Sequence, residues 1–133
     1  MMGLVELERV VVKRDRLLVE VSVARGAQRY TTPEIAARAC AIRPQLPHHA
    51  CVNDRGPTFG SVMARTSIPH LLEHIVIDLQ TERSARPDAV FTGTTRWTDE
   101  AHGHARVEVS FESDLAALRA LRDALALVNG LAG

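Results

Sequence analysis

The sequence has no net charge and no long apolar run. Sixteen basic and sixteen acidic residues balance, and this balance does not favour nucleic acid or an anionic membrane surface as a partner. A membrane-spanning helix needs about 20 apolar residues, and no run of that length occurs. The first residues include two acids before any base and lack the hydrophobic run of a signal peptide. We therefore expect a cytoplasmic protein that contacts neither nucleic acid nor a membrane.

Cysteine is also scarce. Only Cys40 and Cys51 are present, and in a cytoplasmic protein we expect two free thiols rather than a disulfide. Histidine is more frequent and its placement is uneven. The six histidines fall in three close pairs, which are His48 with His49, His70 with His74, and His102 with His104.

The length of 133 residues and the apolar fraction of 46% are ordinary for one soluble domain, so we expect a single domain over residues 1–133. Alternating β-branched segments predict strands, while proline, glycine and capping residues mark helix ends. The predicted elements are strands at 4–13 and 17–24, a helix from Thr32-Pro33 to 43, a loop at 44–57, a short helix at 59–64, a helix from Ser67 to 83, strands at 88–95 and 106–112, and a helix at 113–128. This order, ββα-α-ββα, predicts an α+β fold in which helices pack on one face of a mostly antiparallel sheet.

The helix expected after Ser67 carries the segment His70-Leu-Leu-Glu73-His74. Residues four apart lie on one face of a helix, so both imidazoles can bind one ion, and Glu73 lies beside the same position. A zinc hydrolase needs this set, in which two histidines hold the metal and a carboxylate that is not a ligand takes a proton from the metal-bound water. We therefore predict His70 and His74 as zinc ligands and Glu73 as the general base. Asp78, one turn further on, is expected to orient the ring of His74.

A third ligand has to come from outside this helix. The Pro-rich loop upstream carries His48, His49 and Cys51, and such a loop can reach back over a helix face. We expect His49 to be the third ligand. Cys51, whose thiolate also suits zinc, and His48 remain alternatives.

Arg96 follows a predicted strand and a glycine in Thr92-Gly-Thr-Thr-Arg96. A guanidinium in this position can bind a substrate carboxylate through two parallel hydrogen bonds. The sequence is equally compatible with an exposed arginine at the end of a strand.

Several of these segments, in this order, resemble the N-terminal domain of cyanophycin synthetase. The resemblance covers roughly residues 40–130. It rests on His49-Ala-Cys51, Phe59-Gly60, the helix His70-Leu-Leu-Glu-His-Ile-Val-Ile-Asp-Leu-Gln80, Gly93-Thr-Thr-Arg96, and the strand and Ala-rich helix from Val107 to Val128. The helix motif also resembles those of S-ribosylhomocysteinase and of the pitrilysin-type peptidases, which carry it on a helix against a sheet.

The resemblance implies a domain that works beside a ligase joining aspartate and arginine into a polymer, here expected as a separately encoded partner. Such a domain handles the growing chain, and in some members it cleaves the polymer at a metal site. Carried over, His70 and His74 are ligands, Glu73 is the base, His49 is a possible third ligand and Arg96 is a substrate contact.

The sequence therefore predicts a zinc-dependent hydrolase of a peptide or amide bond. The alternative is a non-catalytic module that binds a peptide or polymer. A purely structural zinc ion that fastens the loop to the helix is a third possibility.

Overall fold

The computed structural model describes residues 4–131. Its centre is a four-stranded sheet in the order β1-β2-β4-β3, and every neighbouring pair of strands is antiparallel. The elements are β1 (Val5–Val12), β2 (Arg16–Val23), α1 (Pro33–Ile42), α2 (Ile68–Arg83), β3 (Gly93–Asp99), β4 (His104–Ser110) and α3 (Asp114–Leu131), with short 3₁₀ turns at Leu46–His48, Phe59–Ser61 and Glu100–His102. The predicted α+β class and the order of elements are confirmed.

The two central strands bury one face and leave the other to solvent. In β2 and β4 every second residue is buried, as the period of two of a strand requires. Helix α2 packs over β3 and β4, and α3 packs over β1 and β2. The core therefore lies between one face of the sheet and these two helices.

Helices α1 and α2 begin where the capping signals predicted. The hydroxyl of Thr32 accepts a hydrogen bond from the backbone N–H of Ile35, and the hydroxyl of Ser67 accepts one from the N–H of His70, both at 3.2 Å. A proline in the first turn completes each start, because its missing N–H has no partner to lose there.

The second strand pair and the last helix differ in their bounds from the sequence prediction. Strand β3 begins at Gly93 rather than 88, because its ladder with β4 starts where Gly93 faces Val109. Strand β4 spans His104–Ser110 rather than 106–112, because Gly103, at φ 75°, closes the preceding turn and pairing starts at once. Helix α3 continues past the predicted end at 128 to Leu131, which is buried.

Within residues 4–131, none of the helices has the length and apolar character needed to cross a membrane.

One side chain ties the edge strand to the last helix. The Oδ1 atom of Asn129 accepts a hydrogen bond of 2.7 Å from the backbone N–H of Val5, and its Nδ2 donates one of 3.2 Å to the carbonyl of the same residue. Two backbone groups at the start of β1 are thus satisfied by α3 instead of by another strand.

Asn129→Ala is expected to lower the free energy of unfolding by about 1–3 kcal/mol, because two partly buried hydrogen bonds are lost. Urea denaturation followed by circular dichroism measures this. Arg119→Ala, an exposed change on the same helix, is the control, and its free energy of unfolding should lie within about 0.5 kcal/mol of that of wild type. Equal midpoints for the two variants would contradict the role given to Asn129.

Candidate metal centre

The polar residues of α2 lie in an otherwise buried helix. All residues from 71 to 80 are buried, including Glu73, His74, Asp78 and Gln80, and His70 is half-buried. A buried polar group costs free energy unless it has a hydrogen-bond partner. The partners of these side chains come from the loop before α2 and from strands β3 and β4.

The loop at 44–62 folds over the polar side of α2 and is fixed by the side chain of Asn53. Its Oδ1 accepts hydrogen bonds from the N–H groups of Arg55 and Gly56, and its Nδ2 is within hydrogen-bond distance of the carbonyls of Cys51 and Thr58. The backbone N–H of Cys51 also donates to Pro57, at 3.2 Å. The thiol of Cys51 is therefore presented by a closed loop.

Cys51, His70 and His74 form a cluster of metal-binding groups. One ligand atom from each lies within 4.8 Å of the other two. The Sγ of Cys51 is 3.6 Å from Nε2 of His70. One thiol and two imidazoles thus lie close enough together to bind a single ion.

His70 is oriented by a hydroxyl on its far side. The Oγ1 of Thr66 lies 2.8 Å from Nδ1 of His70, so Nε2 is the nitrogen turned towards Cys51. The backbone of Thr66 is itself fixed by Thr31, whose Oγ1 accepts the N–H of Thr66 at 2.8 Å. A histidine that binds a metal commonly uses its second nitrogen for such a hydrogen bond.

His49 lies between His74 and Asp78. Its Nδ1 is 3.1 Å from Nδ1 of His74, and its Nε2 is 3.0 Å from Oδ1 of Asp78. The other oxygen of Asp78 accepts a hydrogen bond of 2.5 Å from Nε of Arg43. Asp78 thus contacts His49, and not His74 as the sequence analysis expected.

Glu73 is held against the start of β3. The hydroxyl of Thr95 donates a hydrogen bond of 2.7 Å to its Oε1, and Oε2 lies 3.5 Å from Nε2 of His74. Gly93 gives this carboxylate its room, since a Cβ there would be 2.9 Å from Cγ and 3.0 Å from Oε2 of Glu73. The carboxylate is therefore beside the cluster and anchored at one oxygen.

Phe59 packs on both histidines. Its ring is stacked on that of His74, with centroids 4.0 Å apart and planes 14° apart, and meets His70 edge-on at 5.0 Å. Phe59 is fully buried. It therefore restricts rotation of both imidazoles.

Burial changes the pKa values at this site. It lowers the pKa of His74 to about 3, helped by the charges of His70 and His49, and it lowers that of His70 as well. It raises the pKa of Glu73 to about 7, against the hydrogen bond from Thr95. Burial also acts to raise the pKa of Asp78, but the hydrogen bonds from His49 and Arg43 and the charge of Arg43 outweigh it, so the pKa of Asp78 is lowered. At neutral pH the two histidines of α2 are neutral and able to donate a lone pair.

A wide cleft of about 1410 Å³ opens over the cluster. Its walls are the loop, one side of α2 and the segment that leads into β3, and they are more apolar than polar. Val52 and Val90, both strongly exposed, stand at the cleft.

Arg96 does not line this cleft. It alternates along β3 with Thr95, which contacts Glu73, so it lies on the solvent face of the sheet, paired opposite Arg106 of β4. The position of Arg96 therefore does not support the expectation that it contacts a substrate at this site. His48 is exposed beside the cleft.

The sequence analysis assigned no role at the site to Thr66, Thr95, Gly93, Phe59 or Arg43, although Phe59 stands in the Phe59-Gly60 segment that carried the resemblance. Thr95 and Gly93 stand in the Gly93-Thr-Thr-Arg96 segment that carried the resemblance, and strand alternation in the correct register would have selected Thr95 over Arg96. Nothing local in the sequence marks Thr66 or Arg43.

Gly93→Ala is expected to lower the free energy of unfolding by about 1–3 kcal/mol, because the added Cβ overpacks this site. It would lie 2.8 Å from the carbonyl oxygen of Glu108 as well as against Glu73. Gly130→Ala is the matched control, since that position has open space and alanine favours a helix by up to about 1 kcal/mol. Thermal unfolding that ranks the two variants equally would show that Glu73 does not need this room.

Comparison with known proteins gives one family. A search of curated proteins finds no match. The profile described as the cyanophycin synthase-like N-terminal domain matches residues 17–133, which includes every residue of the centre described above. The chain belongs to the family of cyanophycin synthase-like N-terminal domains.

Proposed function

We propose that the chain is a zinc-dependent hydrolase of a peptide or amide bond, with Cys51, His70 and His74 as the metal ligands and Glu73 as the general base. Among the third ligands that the sequence left open, Cys51 is favoured over His49. Cys51 has a ligand atom within 4.8 Å of ligand atoms of both His70 and His74, whereas His49 contacts His74 and Asp78.

One distance carries this proposal. In a tetrahedral zinc site, a sulfur at about 2.3 Å and a nitrogen at about 2.0–2.1 Å from the ion are about 3.5–3.6 Å apart. The Sγ of Cys51 and Nε2 of His70 are separated by 3.6 Å. One thiolate and two imidazoles are a donor set that zinc favours, and three protein ligands leave the fourth position open, as in catalytic sites.

The residues divide the chemistry of hydrolysis between them. Zinc bound by the three ligands would polarise the scissile carbonyl and increase the acidity of water. Glu73 takes a proton from the attacking water at Oε2, since Oε1 is held by Thr95. The water oxygen bonds to the carbonyl carbon, the C–N bond breaks, and Glu73 passes the proton to the leaving nitrogen, so that an acid and an amine are formed.

The cleft supports an extended substrate. Its volume of about 1410 Å³ exceeds the range of about 300–1,000 Å³ typical of pockets for small molecules. Its open, mostly apolar walls suit a peptide chain that crosses the cluster. The family resemblance adds a separately encoded ligase as the proposed partner. A purely structural zinc ion would need no cleft and no anchored carboxylate beside it.

Purified protein is expected to bind about one zinc per chain, and Glu73→Gln should keep the metal while losing hydrolysis by at least about 100-fold, because general base catalysis contributes about 10²–10⁴-fold. Metal content is measured by inductively coupled plasma mass spectrometry after zinc loading and desalting. Cleavage is measured on cyanophycin and on a peptide library, by the appearance of new amino groups.

Cys51→Ala and His74→Ala are expected to lose bound zinc, and the exposed change His102→Ala serves as the control. Wild type that holds no zinc after loading would refute the proposal. Peptide binding that survives in Glu73→Gln, together with no cleavage by wild type, would favour the non-catalytic module instead.

Thr66→Val is expected to weaken zinc binding by about 10–100-fold without removing the site, because the hydroxyl that orients His70 is lost while the side-chain shape is kept. Competition with a chromogenic chelator measures the affinity. Thr98→Val, exposed on β3, should bind zinc as wild type does. Unchanged affinity in Thr66→Val would mean that Thr66 does not orient the ligand.

A further inference from the structure

A chain of four polar side chains leads from the protein surface to His74. Glu82 is exposed and contacts Arg43, Arg43 contacts Asp78, Asp78 contacts His49, and His49 contacts His74. Each contact is 3.1 Å or shorter. Asp78 and Glu82 belong to α2, Arg43 directly follows α1, and His49 lies in the loop, so these contacts link the two parts of the proposed metal site.

When both histidines are neutral, the chemistry of the side chains determines which group donates and which accepts in each of these hydrogen bonds. A carboxylate only accepts hydrogen bonds and a guanidinium only donates them. Because Oδ1 of Asp78 accepts, Nε2 of His49 carries the proton, and a neutral imidazole then has a bare Nδ1. The bare Nδ1 of His49 has to receive the proton of Nδ1 of His74.

We propose that His49 and Asp78 are positioning residues that hold His74 as its Nδ1–H tautomer, so that Nε2 presents its lone pair to the metal. The inference rests on the metal site of the proposed function. It also assigns His49 a role different from the ligand role expected from the sequence.

The far side of His74 supports this tautomer independently. Its Nε2 is 3.5 Å from Oε2 of Glu73, beyond the usual range of about 2.7–3.2 Å for an N–H···O hydrogen bond. Nε2 therefore does not donate to that carboxylate. The ring is 2% exposed and stacked on Phe59, so it cannot turn over without moving its neighbours.

The two proposed histidine ligands are thus oriented by different means. For His70 the hydroxyl of Thr66 contacts Nδ1, while for His74 a second imidazole backed by a carboxylate does so. A carboxylate behind the imidazole, held ionised by Arg43, fixes the proton position more strongly than a hydroxyl that both donates and accepts.

Asp78→Asn is the decisive variant, because it keeps the shape of the side chain but reverses the direction of the hydrogen bond between residue 78 and His49. Nε of Arg43 donates, so the amide oxygen has to face Arg43 and the amide nitrogen has to face His49. His49 then accepts at Nε2, carries its proton on Nδ1 and donates to His74, whose own proton moves to Nε2. The variant is expected to weaken zinc binding by about 10–100-fold while still folding.

Two measurements on the full chain test these expectations about the tautomer of His74 and the zinc affinity. Long-range ¹H–¹⁵N correlation spectra of the metal-free protein distinguish protonated from bare ring nitrogens, and they should show His74 protonated at Nδ1 in wild type and at Nε2 in Asp78→Asn. Zinc affinity is measured by chelator competition. Glu82→Gln is the matched control, because it removes only the exposed partner of Arg43, and it should change neither spectrum nor affinity.

His49→Ala provides a second variant should Asp78→Asn fail to fold. It is expected to retain one zinc per chain at saturating zinc with a similarly weakened affinity. Complete loss of zinc from His49→Ala would make His49 a ligand and overturn the inference, as would wild-type His74 protonated at Nε2 or unchanged zinc affinity in Asp78→Asn. Wild type that binds no zinc would instead refute the proposed function, while the tautomer spectra would still decide the hydrogen-bond chain.

Discussion

The structure depends on the burial of helix α2 on all of its sides. Residues 71–80 are all buried, although four of them are polar or charged. Such a helix is stable only if each polar group finds a partner, since an unpaired one costs roughly 1–3 kcal/mol. Thr95 is the hydrogen-bond partner of Glu73. His49 is the partner of both His74 and Asp78. Gln80 donates a hydrogen bond of 3.0 Å to the carbonyl of Ser110. The surrounding loop and strands thus supply the hydrogen-bond partners that the buried polar side chains of α2 require.

The same requirement explains why the loop before α2 is ordered without regular structure. Asn53 closes its turn, Phe59 packs against both histidines of α2, and His49 contacts Asp78 on the polar side of the helix. Packing and chemistry are coupled here, because the residues that satisfy α2 also bring Cys51 to the helix. A zinc ion at the cluster would fasten the loop still further, since metal binding free energy adds to folding free energy.

The sequence predicted the parts of this site that are governed by local rules. Ser67 and the proline that follows predicted the start of α2, and the spacing of three and four residues predicted that His70, Glu73 and His74 share a side. Both depend only on the geometry of one helix. The family resemblance, drawn from the helix and its ordered flanking motifs, is confirmed by the profile match.

The parts that the sequence could not predict depend on contacts between distant segments. Whether His49 or Cys51 closes the cluster is decided by how the loop folds on Asn53, and the partner of Asp78 is decided by where His49 enters. The position of Arg96 depended on strand register, and a shift in the bounds of β3 hid that Thr95 faces the helix while Arg96 faces solvent. The partner Arg43 lies 35 residues before Asp78 in the chain, and no periodic pattern connects them.

X-ray absorption at the zinc edge of the zinc-loaded protein tests the central claim most directly, because it reports the atoms bound to the metal. With Cys51, His70 and His74 as ligands, the spectrum should contain one sulfur at about 2.3 Å and nitrogen scatterers at about 2.0–2.1 Å. A spectrum with only nitrogen and oxygen scatterers would contradict the assignment of Cys51 and return His49 to consideration as the third ligand.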